Sequence, residues 1–247
     1  RWLAKKGFGF PLDKGHVAPI VPAAVLYDLD RGTEFVPPIS AEWGEKACRA
    51  AGNGPVDCGC VGAGTGAWSG SIKGGLGTAS CILDSGITVA ALAAVNSGGS
   101  VIDPATGQPW EVHLEIEQEF GQQGKRAVKL PPLPQVAPAQ NTTIAVVTTN
   151  ANLTKSQAGK IAQMAHDGMG RAIRPAHTMF DGDTIFCMAT GKQKLPDIAG
   201  FFDAAQAQAI SDIGHAAADC LSRALVTAIL RAKSMAGMTA FGDLEDL

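Results

Sequence analysis

Residues 141–149 read NTTIAVVTT and form an abrupt junction between a polar segment and an apolar run. The preceding residues 121–141 contain four prolines and few bulky apolar side chains after Leu130, which is typical of a linker or exposed loop. The apolar run predicts a strand over residues 143–149. A hydroxyl residue therefore lies where the loop ends and the strand begins.

Two interpretations of this junction follow from its residues. Asn141-Thr142-Thr143 matches a glycosylation acceptor tripeptide, a pattern that occurs often by chance. Alternatively, the Thr142 hydroxyl attacks the Asn141 carbonyl, the acyl group shifts from nitrogen to oxygen, and the ester hydrolyses. Thr142 then becomes a new N-terminus whose α-amine, with a pKa near ~7.7–8.0, takes the hydroxyl proton. Spacing alone leaves both interpretations open.

The rest of the chain predicts strands and helices in mixed order, as in sheets covered by helices. The expected strands are residues 17–29, 86–96 and 184–189. The expected helices are residues 41–52, a helix that begins with the Thr154–Gln157 capping box and stops at Pro175, and an Ala-rich helix from Asp203 to about Lys233.

Composition excludes several classes of protein. The 247 residues fit one large domain or two small ones. The net charge of −3 and the lack of a basic run do not favour nucleic-acid binding. The longest apolar stretch, Ile87–Val95, is far shorter than the ~20 residues of a membrane helix. The six cysteines form no CxxC pair and no zinc ligand set, so they are interpreted as reduced core thiols of a cytosolic protein.

A glycine-dense segment occupies residues 59–80 and contains Lys73. It lacks the GxGxxG spacing of a dinucleotide site, so its glycines either form ordinary turns or allow close approach to a ligand or another chain. Lys73 is correspondingly either a solvated charge or a functional group.

A second polar cluster spans residues 177–184, where Asp181 and Asp183 flank a glycine just before a strand. A tight turn here would aim both carboxylates at one place, although Asp-Gly is also ordinary turn chemistry. His166 and His177 are candidate bases, with a hydrogen-bonded structural role as the alternative.

In their joint order, several segments resemble the DmpA-type aminopeptidases, the L-aminopeptidase/D-esterase family that includes the nylon-oligomer hydrolase NylC. The matching segments are Arg1-Trp2-Leu3, residues 19–29, Gly62–Gly66, Lys73–Thr78, Asn96, Asn141–Ile144 and His177–Phe186.

The resemblance implies an α/β fold of the four-layer αββα sandwich type, similar to N-terminal-nucleophile hydrolases. It implies one catalytic domain over residues 1–247 that cleaves itself into an α chain, residues 1–141, and a β chain, residues 142–247. The N-terminal Gly-rich part of the family is expected to be missing here, together with strands and part of the substrate pocket.

The resemblance also implies the site residues. Thr142 matches the nucleophile and Asn141-Thr142 the cleavage site. The residues that line the site are Tyr27, Lys73 and Asn96, with Gly64, Thr65 and Gly66 against the substrate. Asn96 and Tyr27 are suitable oxyanion donors, and Lys73 is expected to lower the pKa of the Thr142 hydroxyl or to hold a carboxylate. Asp181 and Asp183 are expected to hold the new amino terminus.

The predicted function is hydrolysis of amide bonds in small peptides, amino-acid amides or esters, without a metal or cofactor. Threonine as the nucleophile, together with the aspartate pair, is closer to the nylon-oligomer branch, so endo-action on 6-aminohexanoate oligomers is the alternative. Acyl transfer, as in the related ornithine acetyltransferases, and a non-catalytic binding protein are the others. We expect a cytoplasmic homo-oligomer of cleaved pairs, with no nucleic-acid or membrane partner.

Overall fold

A computed structural model describes residues 1–31, 35, 39–133, 141–197, 205–235 and 237–247. The interpretations that concern residues 134–140 of the linker and the expected start of the long helix at residue 203 lie outside the described residues. The protein is built on one four-stranded sheet, with two helices packed against one of its faces.

Three sheets contain the strands of the described residues. The strands are β1 (Phe10–Pro11), β2 (Val17–Ala18), β3 (Trp68–Ser69), β4 (Ile72–Lys73), β5 (Gly75–Ile82), β6 (Thr88–Val95), β7 (Ile144–Ala151) and β8 (Thr184–Gln193). β1 pairs with β2 and β3 with β4, while the main sheet has the order β5-β6-β7-β8. β5, β6 and β7 are antiparallel neighbours, and β8 runs parallel to β7.

The helices of the described residues are α1 (Trp2–Lys5), α2 (Ala41–Ala50), α3 (Lys155–Ala172) and α4 (Ala207–Leu230). The predicted capping box of α3 is confirmed, because the Thr154 hydroxyl accepts from the Gln157 backbone N–H and the Gln157 side chain accepts from the Thr154 N–H. α4 packs on β5 and β6, and α3 packs on α4 and β8.

The core lies between the sheet and these two helices. Alternate residues of β7 are buried, as expected of a strand with one face on the core. Gly77 of β5 permits the close approach of a helix, because a Cβ there would overlap the carbonyl oxygen of Ala224 in α4. The mixed α/β class is confirmed, and the described residues form one helical layer and one sheet of the predicted αββα arrangement.

One predicted strand, residues 17–29, is wrong. Only Val17–Ala18 is a strand, and the chain from residue 19 to residue 28 has no regular secondary structure. Pro19 and Pro22 lack the N–H groups that a sheet ladder needs, and the side chains of Ile20 and Val25 are exposed.

The other predictions differ from the structure mainly at their ends. The strand expected over residues 184–189 continues to Gln193, and the long Ala-rich helix is continuous within its described part. By length and composition α4 is apolar enough to span a membrane, but 89% of its most apolar segment is buried within the structure, as in many core helices. All six cysteines are free thiols, of which only Cys220 is buried, so the expectation of core thiols holds for that one residue.

Candidate active site

The sheet topology brings the polar residues singled out above to one edge. β7 and β8 are parallel, and Ile144 pairs with Thr184, so residues 141–143 and 181–183 precede their strands side by side. β6 is antiparallel to β7, so Asn96, which follows β6, reaches the same edge. Lys73 precedes β5 and pairs within the neighbouring β3-β4 ribbon.

The Asn141–Thr142 junction is held by three short hydrogen bonds. The Thr142 hydroxyl donates to the Asn141 carbonyl oxygen at 2.6 Å, and the Gly182 backbone N–H donates to the same oxygen at 3.0 Å. The Thr142 backbone N–H donates to the Asn96 carbonyl oxygen at 2.6 Å. The Thr142 hydroxyl therefore contacts the carbonyl group that precedes it, and a backbone donor already faces that carbonyl oxygen.

The two aspartates take different positions beside this junction. Asp183 is buried, and its Oδ1 accepts from the Thr143 backbone N–H at 2.8 Å while its Oδ2 lies 2.8 Å from His177 Nδ1. Asp181 Oδ2 accepts from the backbone N–H of Thr178 at 2.8 Å and from its hydroxyl at 2.6 Å. The Asp183 carboxylate therefore contacts the backbone next to the Asn141–Thr142 junction, whereas the hydrogen bonds of Asp181 are made to Thr178.

Asp181 Oδ1 is buried and has no hydrogen-bond partner. Asn141 and Asp181 form an isolated bridge that extends the β7-β8 ladder. A Cβ added at Gly98 would lie 2.9 Å from Asn141 Nδ2 and 3.7 Å from Asp181 Oδ1, so the two side chains share one small space. A buried carboxylate oxygen without a donor is an acceptor site for a cation or an N–H group.

Asn96 connects the junction to a buried arginine. Its side-chain oxygen accepts from the Trp68 backbone N–H at 3.0 Å and from the Arg31 guanidinium, and its side-chain N–H₂ donates to the Tyr27 carbonyl oxygen at 3.2 Å. The Arg31 guanidinium lies 4.3 Å from the centroid of the Trp68 ring and 5.9 Å from that of the Tyr27 ring. Burial lowers the pKa of Arg31, while Asp28 and Tyr27 act in the opposite direction.

Lys73 is completely buried in the glycine-dense segment, so it is not a solvated charge. Its ammonium donates three hydrogen bonds of 2.8 Å to the carbonyl oxygens of Gly64, Ala67 and Gly74. These bonds use all the donors of the group, so its partners are carbonyls rather than the expected carboxylate or Thr142 hydroxyl. Burial lowers the pKa of Lys73, and the nearby Arg31 lowers it further.

The three residues expected against the substrate have unequal exposure. Gly64 and Gly66 are buried, and their carbonyl oxygens accept from Lys73 and Arg31. Thr65 is exposed, and its hydroxyl donates to the Gly62 carbonyl oxygen at 2.8 Å. The segment therefore serves as a cradle for two buried cations, with Thr65 as its accessible member.

The structure thus brings Thr142, Asn141, Asp181, Asp183 and Asn96 into one connected site. Tyr27 joins this site through its backbone carbonyl oxygen, and the Lys73 cradle lies beside it.

Sequence reasoning missed Arg31 and Gly182. Arg31 is an isolated arginine in a stretch that forms no strand, and nothing in the sequence pattern marks it. Gly182 was noted only as a turn residue, although its position between two aspartates before a strand was available as a signal. Among the described residues, no group of three or more histidine, cysteine, aspartate or glutamate side chains is arranged to hold a metal ion.

A threonine at the start of a central strand, held against its own preceding carbonyl and flanked by carboxylates, places the protein in the class of N-terminal-nucleophile hydrolase folds. A solved L-aminopeptidase/D-Ala-esterase/amidase from Ochrobactrum anthropi, described as a variant of that fold, is 28% identical, with a TM-score of 0.58 over 84% of this chain and 53% of that one. The sequence profile of peptidase family S58 matches residues 1–241, and the chain belongs to that family.

Other relatives agree with this assignment. An uncharacterized aminopeptidase of Mycobacterium tuberculosis is 44% identical over 99% of this chain and 72% of its own length. A 6-aminohexanoate-oligomer endohydrolase of Kocuria sp. is 31% identical over 74% of this chain and 53% of its own length. A solved Burkholderia sp. beta-aminopeptidase is 27% identical, with a TM-score of 0.58 over 82% of this chain and 55% of that one. The chain thus spans about half the length of the solved structures that it matches.

Proposed function

We propose that the protein is a self-cleaving N-terminal-threonine hydrolase. It acts on the amide bonds of small peptides and amino-acid amides, or on the ester bonds of amino-acid esters. The observation that carries the proposal is the Thr142 hydroxyl in contact with the Asn141 carbonyl oxygen, which also accepts the Gly182 N–H. Membership of peptidase family S58 supports amide-bond hydrolysis.

Self-cleavage proceeds in two steps, an acyl shift and an ester hydrolysis. The Thr142 oxygen forms a bond to the Asn141 carbonyl carbon, the peptide C–N bond breaks, and the hydroxyl proton passes to the departing nitrogen. Water then hydrolyses the ester, which leaves a carboxylate on Asn141 and a free amine on Thr142. During the first step the carbonyl oxygen becomes an oxyanion, and the Gly182 N–H stabilises it where it already lies.

Turnover reuses the same groups on an external substrate. The free α-amine of Thr142 takes the proton of its own hydroxyl, and the oxygen attacks the substrate carbonyl. The leaving amine takes the proton, and water then hydrolyses the acyl-enzyme ester. The buried, unpartnered Asp181 Oδ1 and the Asn96 carbonyl oxygen supply acceptors for the ammonium form of Thr142.

Endo-hydrolysis of 6-aminohexanoate oligomers is the second candidate. It is favoured by the relatives that carry that name and by the paired aspartates beside a threonine nucleophile. The aminopeptidase reading is preferred because the relatives that align with nearly the whole chain are named aminopeptidases. No feature of the described residues favours acyl transfer or a non-catalytic role.

The first test is intact-mass analysis with N-terminal sequencing of wild type, Thr142→Ala and Thr142→Ser. We expect two wild-type fragments, the second beginning Thr-Thr-Ile-Ala, an uncut Thr142→Ala chain, and cleavage in Thr142→Ser because a hydroxyl remains. An uncut wild-type chain, or a cut Thr142→Ala chain, contradicts the proposal.

The second test separates the two candidate substrates. Peptides with a free N-terminus, the same peptides N-acetylated, and 6-aminohexanoate oligomers are each incubated with the cleaved enzyme. Stepwise release of N-terminal residues from free peptides alone supports an aminopeptidase. Internal cleavage of the 6-aminohexanoate oligomers, with the N-acetylated peptides also cut, supports the second candidate.

Assembly of the protein into oligomers of cleaved pairs and a cytoplasmic location are further proposals. Light scattering checks the first and cell fractionation the second.

A further inference from the structure

Two histidines extend the site outward from Asp183. His177 Nδ1 lies 2.8 Å from Asp183 Oδ2, and His177 Nε2 lies 3.2 Å from His166 Nδ1 on α3. The two rings are 4.8 Å apart at their centroids and inclined by 60°. The other oxygen of Asp183 holds the Thr143 backbone N–H at 2.8 Å. One chain of hydrogen bonds therefore runs from the residue next to the nucleophile to the surface.

The hydrogen-bond chemistry fixes the protons along this chain. An ionised carboxylate only accepts, so His177 Nδ1 carries a hydrogen. In neutral His177 the other nitrogen then accepts, so His166 Nδ1 also carries a hydrogen. Each ring is thus held in one tautomer and one orientation by its neighbour.

The backbone of His177 contributes to this arrangement. Its φ of 54° lies in the left-handed region that residues other than glycine seldom adopt. In that conformation its backbone N–H also reaches Asp183 Oδ2, at 3.3 Å. Asp183 is therefore held by His177 twice on one oxygen and by Thr143 on the other. Backbone strain at a residue that holds a carboxylate in place is typical of functional sites.

We propose that His177, oriented by His166, is a positioning residue that holds Asp183 on the Thr143 amide and thereby aligns Thr142 for self-cleavage and turnover. This inference rests on the proposed function, because it assigns a role in that reaction. The hydrogen bonds of His177 are made to Asp183 and His166 and not to Thr142, so its effect passes through Asp183.

The pair also provides a route for charge. When the outer nitrogen of His166 takes up a proton and the Nδ1 hydrogen of His166 moves to His177, an imidazolium forms beside Asp183 and both hydrogen bonds persist. Within the part of the chain that the structure describes, Asp167 on α3 is the other charged group that acts on His166. Burial and the neighbouring His177 lower the pKa of His166, which disfavours a charge on that ring. The pH profile of the reaction is therefore a direct readout of the pair.

The test compares His177→Asn, His177→Ala and wild type. Asparagine places an N–H near the position of Nδ1 but lacks the second ring nitrogen, whereas alanine removes both. The matched control is His215→Ala, which removes an exposed histidine paired with Asp219 at 3.4 Å on α4, away from the junction. Self-cleavage is followed from synthesis by cell-free translation, and kcat and KM are measured on an amino-acid amide from pH 5 to pH 9.

We expect His177→Ala to slow self-cleavage and to lower kcat by about 10-fold to 100-fold with KM changed less, because a small misplacement of a nucleophile has effects of about that size. His177→Asn should keep most of the rate at pH 8 and lose the acid-side ionisation of the pair from its profile. His215→Ala should match wild type. Thermal unfolding distinguishes a loss of rate in a folded variant from a loss caused by misfolding. If His177→Ala does not fold, His177→Asn decides the outcome.

Three results overturn the inference. The first is a His177→Ala enzyme that matches wild type in both rates, and the second is a His177→Asn enzyme as impaired as His177→Ala at pH 8. The third is a His177→Asn pH profile that superimposes on that of wild type. A wild-type chain that is neither cut nor active overturns the proposed function as well, so the two failures are distinguishable.

Discussion

The backbone N–H of Gly182 donates a 3.0 Å hydrogen bond to the carbonyl oxygen of Asn141. The bond exists because the parallel pairing of β7 with β8 continues one step beyond the strands, through the isolated bridge between Asn141 and Asp181. A distance of about 2.7–3.1 Å is what an oxyanion donor requires. The donor that faces the Asn141 carbonyl is thus an extension of the sheet ladder.

Substitution of Gly182 by alanine should slow self-cleavage. The new Cβ would lie 2.8 Å from the Thr142 hydroxyl oxygen, so that the nucleophile must move. We expect a rate at least about 10-fold lower, since displacement of a nucleophile by ~1 Å has an effect of up to about 100-fold. The rate is measured by intact mass against time.

Gly170→Ala is the matched control for this substitution. Gly170 lies in α3 with open space around its Cβ position, and alanine there should stabilise the helix by about 0.5–1 kcal/mol without changing the cleavage rate. Equal cleavage rates for Gly182→Ala and Gly170→Ala would refute the steric explanation.

Replacement of Lys73 by methionine should destabilise the fold. The side chain keeps its length, but three buried carbonyl oxygens lose the ammonium as a donor. The Ala67 oxygen keeps the Gly74 backbone N–H as a second donor. We expect the free energy of unfolding to fall by about 3 kcal/mol or more, because an unsatisfied buried polar group costs about 1–3 kcal/mol. Urea titration measures the loss, and Lys160→Met on the exposed side of α3 should change it by less than about 0.5 kcal/mol. A Lys73→Met chain as stable as wild type would show that the ammonium does not hold the cradle.

Local sequence signals predicted those elements whose stabilising contacts lie within a few neighbouring residues. The capping box of Thr154 and Gln157 is a reciprocal contact within four residues, so the sequence contains all of it. The strand expected over residues 17–29 failed because a strand also needs a partner, and two prolines remove donors from the ladder. The sequence pattern was therefore sufficient to predict α3. It gave a wrong prediction for residues 17–29, where strand pairing decides whether a strand forms.

The site was predictable by residue type but not by contact. Thr142, Asn96 and the aspartates meet because strand order brings their ends to one edge, and no local pattern contains that order. The carbonyl partners of Lys73 and the contact of Arg31 with Asn96 depend on how the glycine-dense segment folds back. Only the resemblance to a known family connected these residues in advance.

Asp181→Asn should separate self-cleavage from turnover. Asp181 Oδ1 is buried without a hydrogen-bond donor in the uncut chain. In the proposed mechanism the Thr142 ammonium supplies that donor after cleavage. An amide lacks the charge that stabilises this ammonium, so the pKa of the α-amine should fall. We expect kcat to decrease about 10-fold or more while the self-cleavage rate changes less, as judged by steady-state kinetics and intact mass. A variant whose self-cleavage is impaired more than its turnover would assign Asp181 to the first reaction instead.

Cys81 should be alkylated more readily than Cys187 near neutral pH. It lines a cavity of about 980 Å³, and a hydrogen bond from the Cys220 thiol at 3.6 Å lowers the pKa of Cys81 to about 7, with help from Arg223. The iodoacetamide reaction of Cys81, followed by peptide mass spectrometry, should therefore rise with a midpoint near pH 7. Cys220→Ala should move that midpoint up towards the ordinary thiol value of about 8.5. Cys187, whose pKa is raised by burial, serves as the internal control and should react only at higher pH. An unchanged midpoint in Cys220→Ala would show that the hydrogen bond between the two thiols does not activate Cys81.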